Sequence, residues 1–173
     1  MLAATCAAIP ISVPLLLSSP LSQALAQAAA PAPQPGSRSS VVGVPSDDPV
    51  MAQAIVKATA SLPDFFKRLA QPGPGEDGFA VKIYYPTATG GGEHIWANNV
   101  TFDGTSVTAT ISNEPLHIPD VKLGQKVTVG VDRITDWMYI LDRKIHGGQT
   151  IRAVLPRMEA AEAAPLRAML APE

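Results

Sequence analysis

The chain has 173 residues, 46% of them hydrophobic and 16% charged, with a formal net charge of -2. That length suits one domain, since domains commonly hold roughly 100–150 residues. With 13 Lys and Arg set against 15 Asp and Glu, there is no basic footprint for nucleic acid and no polybasic run for an anionic membrane surface.

The first 40 residues are compositionally distinct, with no acid and a first base only at Arg38. Leu, Ala, Ile, Val and Ser dominate from Ala3 to Leu25, and Ala24-Leu25-Ala26-Gln27 carries the small residues that signal peptidase requires. Residues 1–26 are therefore expected to be an export signal. The alternative is an anchor in the inner membrane, which Pro10, Pro14 and Pro20 disfavour in a span needing about 20 apolar residues. The single cysteine, Cys6, falls inside this segment, so a processed chain would have no disulfide, no thiolate nucleophile and no Cys-ligated metal. Residues 27–46 are rich in Pro, Ala, Gly and Ser and read as a disordered linker. The expected location is periplasmic or secreted.

Residues 47–171 are expected to form one domain. Asp48 and Pro49 suit the cap and first position of a helix, and Met51, Ile55, Ala58 and Leu62 form an apolar stripe. Pro63 interrupts it. Ser61 and Asp64 have capping-box spacing, and Phe65, Phe66 and Leu69 extend the stripe up to Gln71-Pro72-Gly73. The prediction is a kinked helix, or two short ones, covering one face of a sheet.

From Phe79 the period changes to two. Phe79, Val81, Ile83 and Tyr85 alternate with Ala80, Lys82 and Tyr84, the pattern of a half-buried strand. A second strand follows in Glu93–Phe102, with Trp96, Val100 and Phe102 expected on one face, then a hairpin at Asp103-Gly104, and a third strand through Val107, Ala109 and Ile111. A proline-marked loop over residues 113–125 leads to a strand at Val127–Val131. Trp137–Leu141 and Ile145–Val154 are expected to pair through a turn at Asp142-Arg143-Lys144. A C-terminal helix is predicted from Pro156, divided by Pro165. The fold class is α+β: a kinked N-terminal helix on a curled antiparallel sheet of five or six strands, approaching an SH3-like half-barrel, with a C-terminal helix.

Chemistry-bearing motifs are sparse. There is no phosphate loop, dinucleotide fingerprint, H-E-x-x-H helix or G-x-S-x-G elbow, and Gly90-Gly91-Gly92 precedes a strand instead of the helix N-terminus that phosphate binding uses. His94, His117 and His146 lack ligand spacing, so neither a metal nor a cofactor is expected. Glu93 and Asp136 begin different strands; with His94 they are the groups a carboxylate-based hydrolase would use, although structural ion pairs are the commoner role. Trp96, Trp137 and Tyr139 read first as core anchors and second as a ligand platform. Asn99-Val100-Thr101 matches a glycosylation sequon. Gly147-Gly148 suggest a bulge or close backbone approach. Thr150 and Arg152, if on one strand face, would bring Arg152 back to an ion pair with Asp136.

The ordered motifs Glu93-His94-Ile95-Trp96, Gly104 to Thr108, Ile134 to Tyr139 and Gly147 to Arg152 resemble the YegJ-like bacterial family, domain of unknown function 2314. The resemblance spans Met51 to Leu155 and also takes in Asn113, Pro115 and Gly124; where that family commonly has Tyr, this chain has Gln149. It implies a fold and no established reaction. Glu93, His94, Trp96, Asp136, Trp137, Tyr139, Thr150 and Arg152 are the candidate ligand or partner residues. The leading expectation is a small exported binding or protein-interaction module with an unknown protein or small-molecule partner in the cell envelope. A hydrolase using Glu93, His94 and Asp136, and an immunity-like envelope protein, are the alternatives.

Overall fold

The structure is a computed structural model that describes residues 48–88 and 90–173. The expected export signal, its single cysteine and the Pro/Ala-rich linker lie outside the described residues.

Helix α1 (Pro49–Ala60) begins as expected: Asp48 Oδ1 accepts from the backbone N–H of Val50 and Met51 at 2.8 and 2.9 Å, with Pro49 in the first turn. Helix α2 (Leu62–Ala70) follows after Ser61 alone. Ser61 makes no side-chain cap; its hydroxyl donates back to Ala58 O at 2.9 Å, and Asp64 pairs with Lys67 instead of closing a capping box. The hydroxyl reaches a carbonyl one turn earlier, so the free N–H groups of α2 gain nothing from it. Leu62, Phe65 and Phe66 form the buried face of α2. Phe65 is wholly buried, which contributes about 2–3 kcal/mol.

Six strands follow, β1 (Asp77–Pro86), β2 (Gly92–Phe102), β3 (Ser106–Ile111), β4 (Lys126–Gly130), β5 (Ile134–Leu141) and β6 (Lys144–Gly147). They form one antiparallel sheet in the order β4-β3-β2-β1-β5-β6, and the sheet does not close. A 3-10 turn of three residues, Val131–Arg133, joins β4 to β5. Four strand spacings separate those strands, about 19 Å if the sheet were flat, whereas the connection reaches about 14 Å fully extended. The sheet must therefore curl strongly, and its inner face with α2 holds the main core of Val81, Ile83, Ile95, Ala97, Val107, Ala109, Ile111 and Ile134.

The last expected strand is much shorter than predicted. Pairing with β5 ends at Gly147, and residues Gln149–Val154 form helix α3. Positive φ at Gly147 and Gly148 (80° and 63°) turns the chain off the sheet edge. The C-terminal helix also starts later: Leu155–Arg157 make a 3-10 turn and α4 spans Ala160–Met169, with Pro165 inside it. A second apolar cluster of Ile145, Leu155, Ala163 and Leu170 joins α3 and α4 to β6.

Candidate functional site

The central strand β1 organises the polar residues. Val81 and Ile83 face the core, so Lys82 and Tyr84 face outward. Lys82 lies opposite Trp96 of β2 on one side and Asp136 of β5 on the other, while Tyr84 lies opposite His94. Beside Lys82 the ladder slips: Ile134 to Asp136 oppose only Ile83 and Lys82, leaving one extra residue in β5. Such a bulge re-aims side chains. Here the Thr135 hydroxyl meets His94 Nδ1 at 2.9 Å and also donates to Lys82 O at 3.3 Å.

Asp136 is completely buried and hydrogen-bonded throughout. Its Oδ1 accepts from Trp137 N at 2.8 Å and Gln149 N at 3.2 Å; its Oδ2 accepts from Thr150 N at 2.8 Å and Thr150 Oγ1 at 2.6 Å. The carboxylate thus takes the first free N–H groups of α3, a cap supplied from 13 and 14 residues away in sequence. Lys82 Nζ donates to Thr150 Oγ1 at 2.7 Å and sits 4.9 Å over the Trp96 ring. The Thr150 hydroxyl therefore bridges a half-buried ammonium and a buried carboxylate.

Burial raises the Asp136 pKa above the usual carboxylate value, opposed by the Thr150 hydrogen bonds. It lowers that of Lys82, with Asp136 acting in the other direction. His94 is pushed down to about 4, first by the partial enclosure of its ring and then by the Lys82 ammonium. The residue as a whole remains exposed, so solvent moderates that effect.

Three candidate residues, His94, Asp136 and Thr150, gather around Lys82 with Trp96. Glu93 does not join them. It shares the inward parity of Ile95, opposite Tyr85, and its two oxygens accept from the backbone of Leu116 and His117 at 2.9 Å each. Glu93 and Asp136 thus lie on opposite faces of the sheet and do not form an acid/base pair across a cleft. Trp137 also faces away from Asp136: its ring stacks on Phe65 at 5.2 Å, and its Nε1 donates to Ala58 O and Ser61 Oγ at 3.0 Å each. Tyr139 is buried between Trp137 and His146, which stack at 6.0 and 4.9 Å.

The expected Arg152–Asp136 ion pair is not formed. Arg152 Nε donates to Gly147 O at 3.1 Å, Nη2 donates to Ala171 O at 2.8 Å, and the guanidinium lies 3.7 Å from Glu173. In a helix, residues two apart differ by about 200° in direction, so Thr150 enters the network while Arg152 turns to the C-terminus. The three histidines stay apart, and among the described residues no group of three His, Cys, Asp or Glu side chains forms a metal-binding set.

Sequence reasoning offers Lys82 as a counter-ion for Glu93 or Asp136 but not as a site residue. Its place in an alternating strand marks only an outward position; the ring and hydroxyl that enclose its ammonium come from β2 and α3. Asn113 was legible only through the family resemblance, and its Oδ1 accepts from Trp96 N at 2.7 Å. With Glu93 it shapes the loop between β3 and β4, which surrounds a depression of about 540 Å³ lined by Pro115, Leu116, Ile118, Pro119, Val121 and Leu123 among others. Leu116 and Leu123 are more than half exposed.

Comparison with known proteins agrees with this arrangement of motifs. The model of a family described as an uncharacterised protein conserved in bacteria, DUF2314, matches residues 48–168. The uncharacterised protein YegJ of Escherichia coli (strain K12) is 35% identical over 124 residues, covering 72% of this chain and 79% of that protein. A putative ankyrin repeat protein of Neisseria meningitidis serogroup B is 37% identical over 70 residues, which are 40% of this chain and only 28% of that relative. No solved structure matches the chain. The chain is a member of the bacterial DUF2314 family.

Proposed function

We propose that this is a small exported binding module whose contact surface is the β3–β4 loop and the sheet rim beside it. The observation carrying this reading is a division of labour among the polar and aromatic residues. Asp136, Trp137, Tyr139, Thr150 and Arg152 are consumed by internal contacts. The loop, in contrast, is held in shape by Glu93 and Asn113 while exposing Leu116 and Leu123. Apolar side chains held outward on a rigid frame suit recognition of another protein.

Export is supported by the uncharged apolar start of the chain and the Ala24-Leu25-Ala26 pattern. No helix among the described residues is long and apolar enough to cross a membrane.

The test is a parallel capture from periplasmic extract with the wild-type chain and with Leu116→Ser/Leu123→Ser. A partner retained by the first and lost by the second, with unchanged circular dichroism, supports the reading. Equal capture by both, or none by either, refutes it.

A further inference from the structure

The two edges of the sheet are treated differently. Along β6, Leu170 bridges to Ile145 and the Ala171 N–H donates to Ile145 O at 2.9 Å, so the C-terminal residues cover that edge. Strand β4 pairs with β3 alone among the described residues. The Ile111 N–H donates to Gln125 O at 2.9 Å, which sets the phase of that ladder. Bonded and unbonded pairs alternate from there: Ala109 with Val127 and Val107 with Val129 exchange bonds, whereas Thr110–Lys126 and Thr108–Thr128 do not. The backbone N–H and C=O groups of Lys126 and Thr128 therefore point away from β3. Val127 and Val129 pack toward the core yet remain partly exposed, while Ala109 and Val107 opposite them are buried.

This edge is complementary to itself. Val127-Thr128-Val129 reads the same in both directions, so an antiparallel copy centred on Thr128 sets Val127 against Val129 and Lys126 against Gly130. Gly130 has no side chain, and the Asp132 carboxylate occupies its place: a Cβ built there would collide with Asp132 Oδ1. The Lys126 ammonium of each copy thus arrives at the Asp132 carboxylate of the other. A lysine on an edge strand ordinarily deters pairing; here the opposed position carries its counter-charge. Within one chain, neither Lys126 nor Asp132 enters an ion pair among the described residues, and both are exposed.

We infer that the free edge of β4 is a docking surface for a second copy of this chain, which pairs with it antiparallel about Thr128 and is held by reciprocal Lys126–Asp132 ion pairs. Thr128 exchanges both backbone hydrogen bonds with its symmetry mate, and each Gly130 N–H donates to Lys126 O of the second copy. Val127 and Val129 of the two chains cover one another at the margin of the core. Because the β6 edge is already covered, no second edge offers the same pairing, and the association closes at two copies. Pairing over so short a strand buries less than a standard interface of about 1,600 Å², so the dimer is weak and depends on concentration. It uses none of the apolar side chains of the β3–β4 loop and does not depend on the partner surface proposed above.

The test is the molar mass of the full chain by light scattering from about 10 μM to about 1 mM, the range of weak association. Hydrogen exchange of the Thr128 amide is followed alongside, with the Val127 amide, which β3 already pairs, as internal control. The expected result is a mass rising from one copy toward two, with Thr128 exchange slowing in step and Val127 unchanged. Lys126→Glu and Asp132→Lys each set like charges against one another at both ends of the pair, so each variant alone should stay at the mass of one copy. An equimolar mixture of the two restores opposite charges at both ends and should return the doubled mass. Both residues are exposed, so neither substitution disturbs the core. A wild-type mass of one copy throughout, a dimer that either substitution leaves intact, or a mixture no heavier than its components overturns the inference. So does a Thr128 amide already protected at the mass of one copy, since another part of the same chain would then cover the edge.

Discussion

Asp136 caps α3 through Thr150: one carboxylate oxygen accepts both the Thr150 backbone N–H at 2.8 Å and its hydroxyl at 2.6 Å. That contact fastens the end of the β5–β6 hairpin to the helix that follows it. It also positions the hydroxyl on which Lys82 rests.

Asp136→Ala leaves three backbone N–H groups and the Lys82 ammonium without their anion. Breaking a buried charged pair from one side costs about 3–5 kcal/mol, and urea denaturation should register that loss. Thr150→Val keeps the side chain's shape and removes only the bridge, so a smaller loss of about 1–3 kcal/mol is expected. If the valine variant loses as much as the alanine one, the hydroxyl carries more of the network than the carboxylate does.

Gly147→Ala is expected to be far more damaging than Gly124→Ala. Both glycines have φ of +80°, so both pay about 1–2 kcal/mol for an L side chain in that region. A Cβ at Gly147 would stand 2.4 Å from Trp137 O, whereas at Gly124 nothing lies within 4 Å. Thermal melts of the two variants should therefore separate, with Gly147→Ala the lower.

The β5–β6 turn offers a stabilising change. Asp142 and Arg143 have φ of 51° and 60°, and Leu141 pairs directly with Lys144, which defines a two-residue turn with both central residues left-handed. Replacing the pair by Asn-Gly relieves the Arg143 backbone without disturbing packing, since both residues are exposed. A gain of about 1 kcal/mol is expected from the relieved left-handed arginine, readable as a higher denaturation midpoint.

His94 should titrate near 4 in the folded chain, well below its ordinary 6.5. The unfolded chain then binds this proton first, so its contribution to stability is fully present above about pH 6.5 and is lost as pH falls toward 4. His94→Gln should flatten the stability profile in that window. Lys82→Met should raise the His94 midpoint in the wild-type background by removing the neighbouring positive charge. A midpoint that stays in place would assign the whole depression to enclosure of the ring.

The legible parts of the fold are those that repeat or turn locally. The alternation through Val81, Ile83 and Tyr85, the Asp48-Pro49 start and the Asp103-Gly104 hairpin all act between residues a few positions apart, and each appears where expected. The stretch after Gly148 behaves differently. Gln149 to Val154 carries Thr, Ile and Val, a composition that favours a strand as readily as a short helix. Six residues are too few to form a helix unaided; what decides their state is a carboxylate on another strand meeting their free N–H groups.

The same distinction governs the site. Amino-acid order alone determined which residues face inward along β1 and β3, that no familiar catalytic signature is present, and which family motifs the chain carries. On β2 it did not: the buried residues there are Ile95, Ala97 and Val100, and Trp96 lies on the outer face beside Lys82. Tertiary structure decided that Arg152 serves the C-terminus, that Glu93 and Asp136 stand on opposite faces, and that Lys82 is enclosed by residues from three other elements. The physical reason is range. Periodicity and turn chemistry act over a few residues, whereas the burial of a charge depends on what long-range pairing brings beside it.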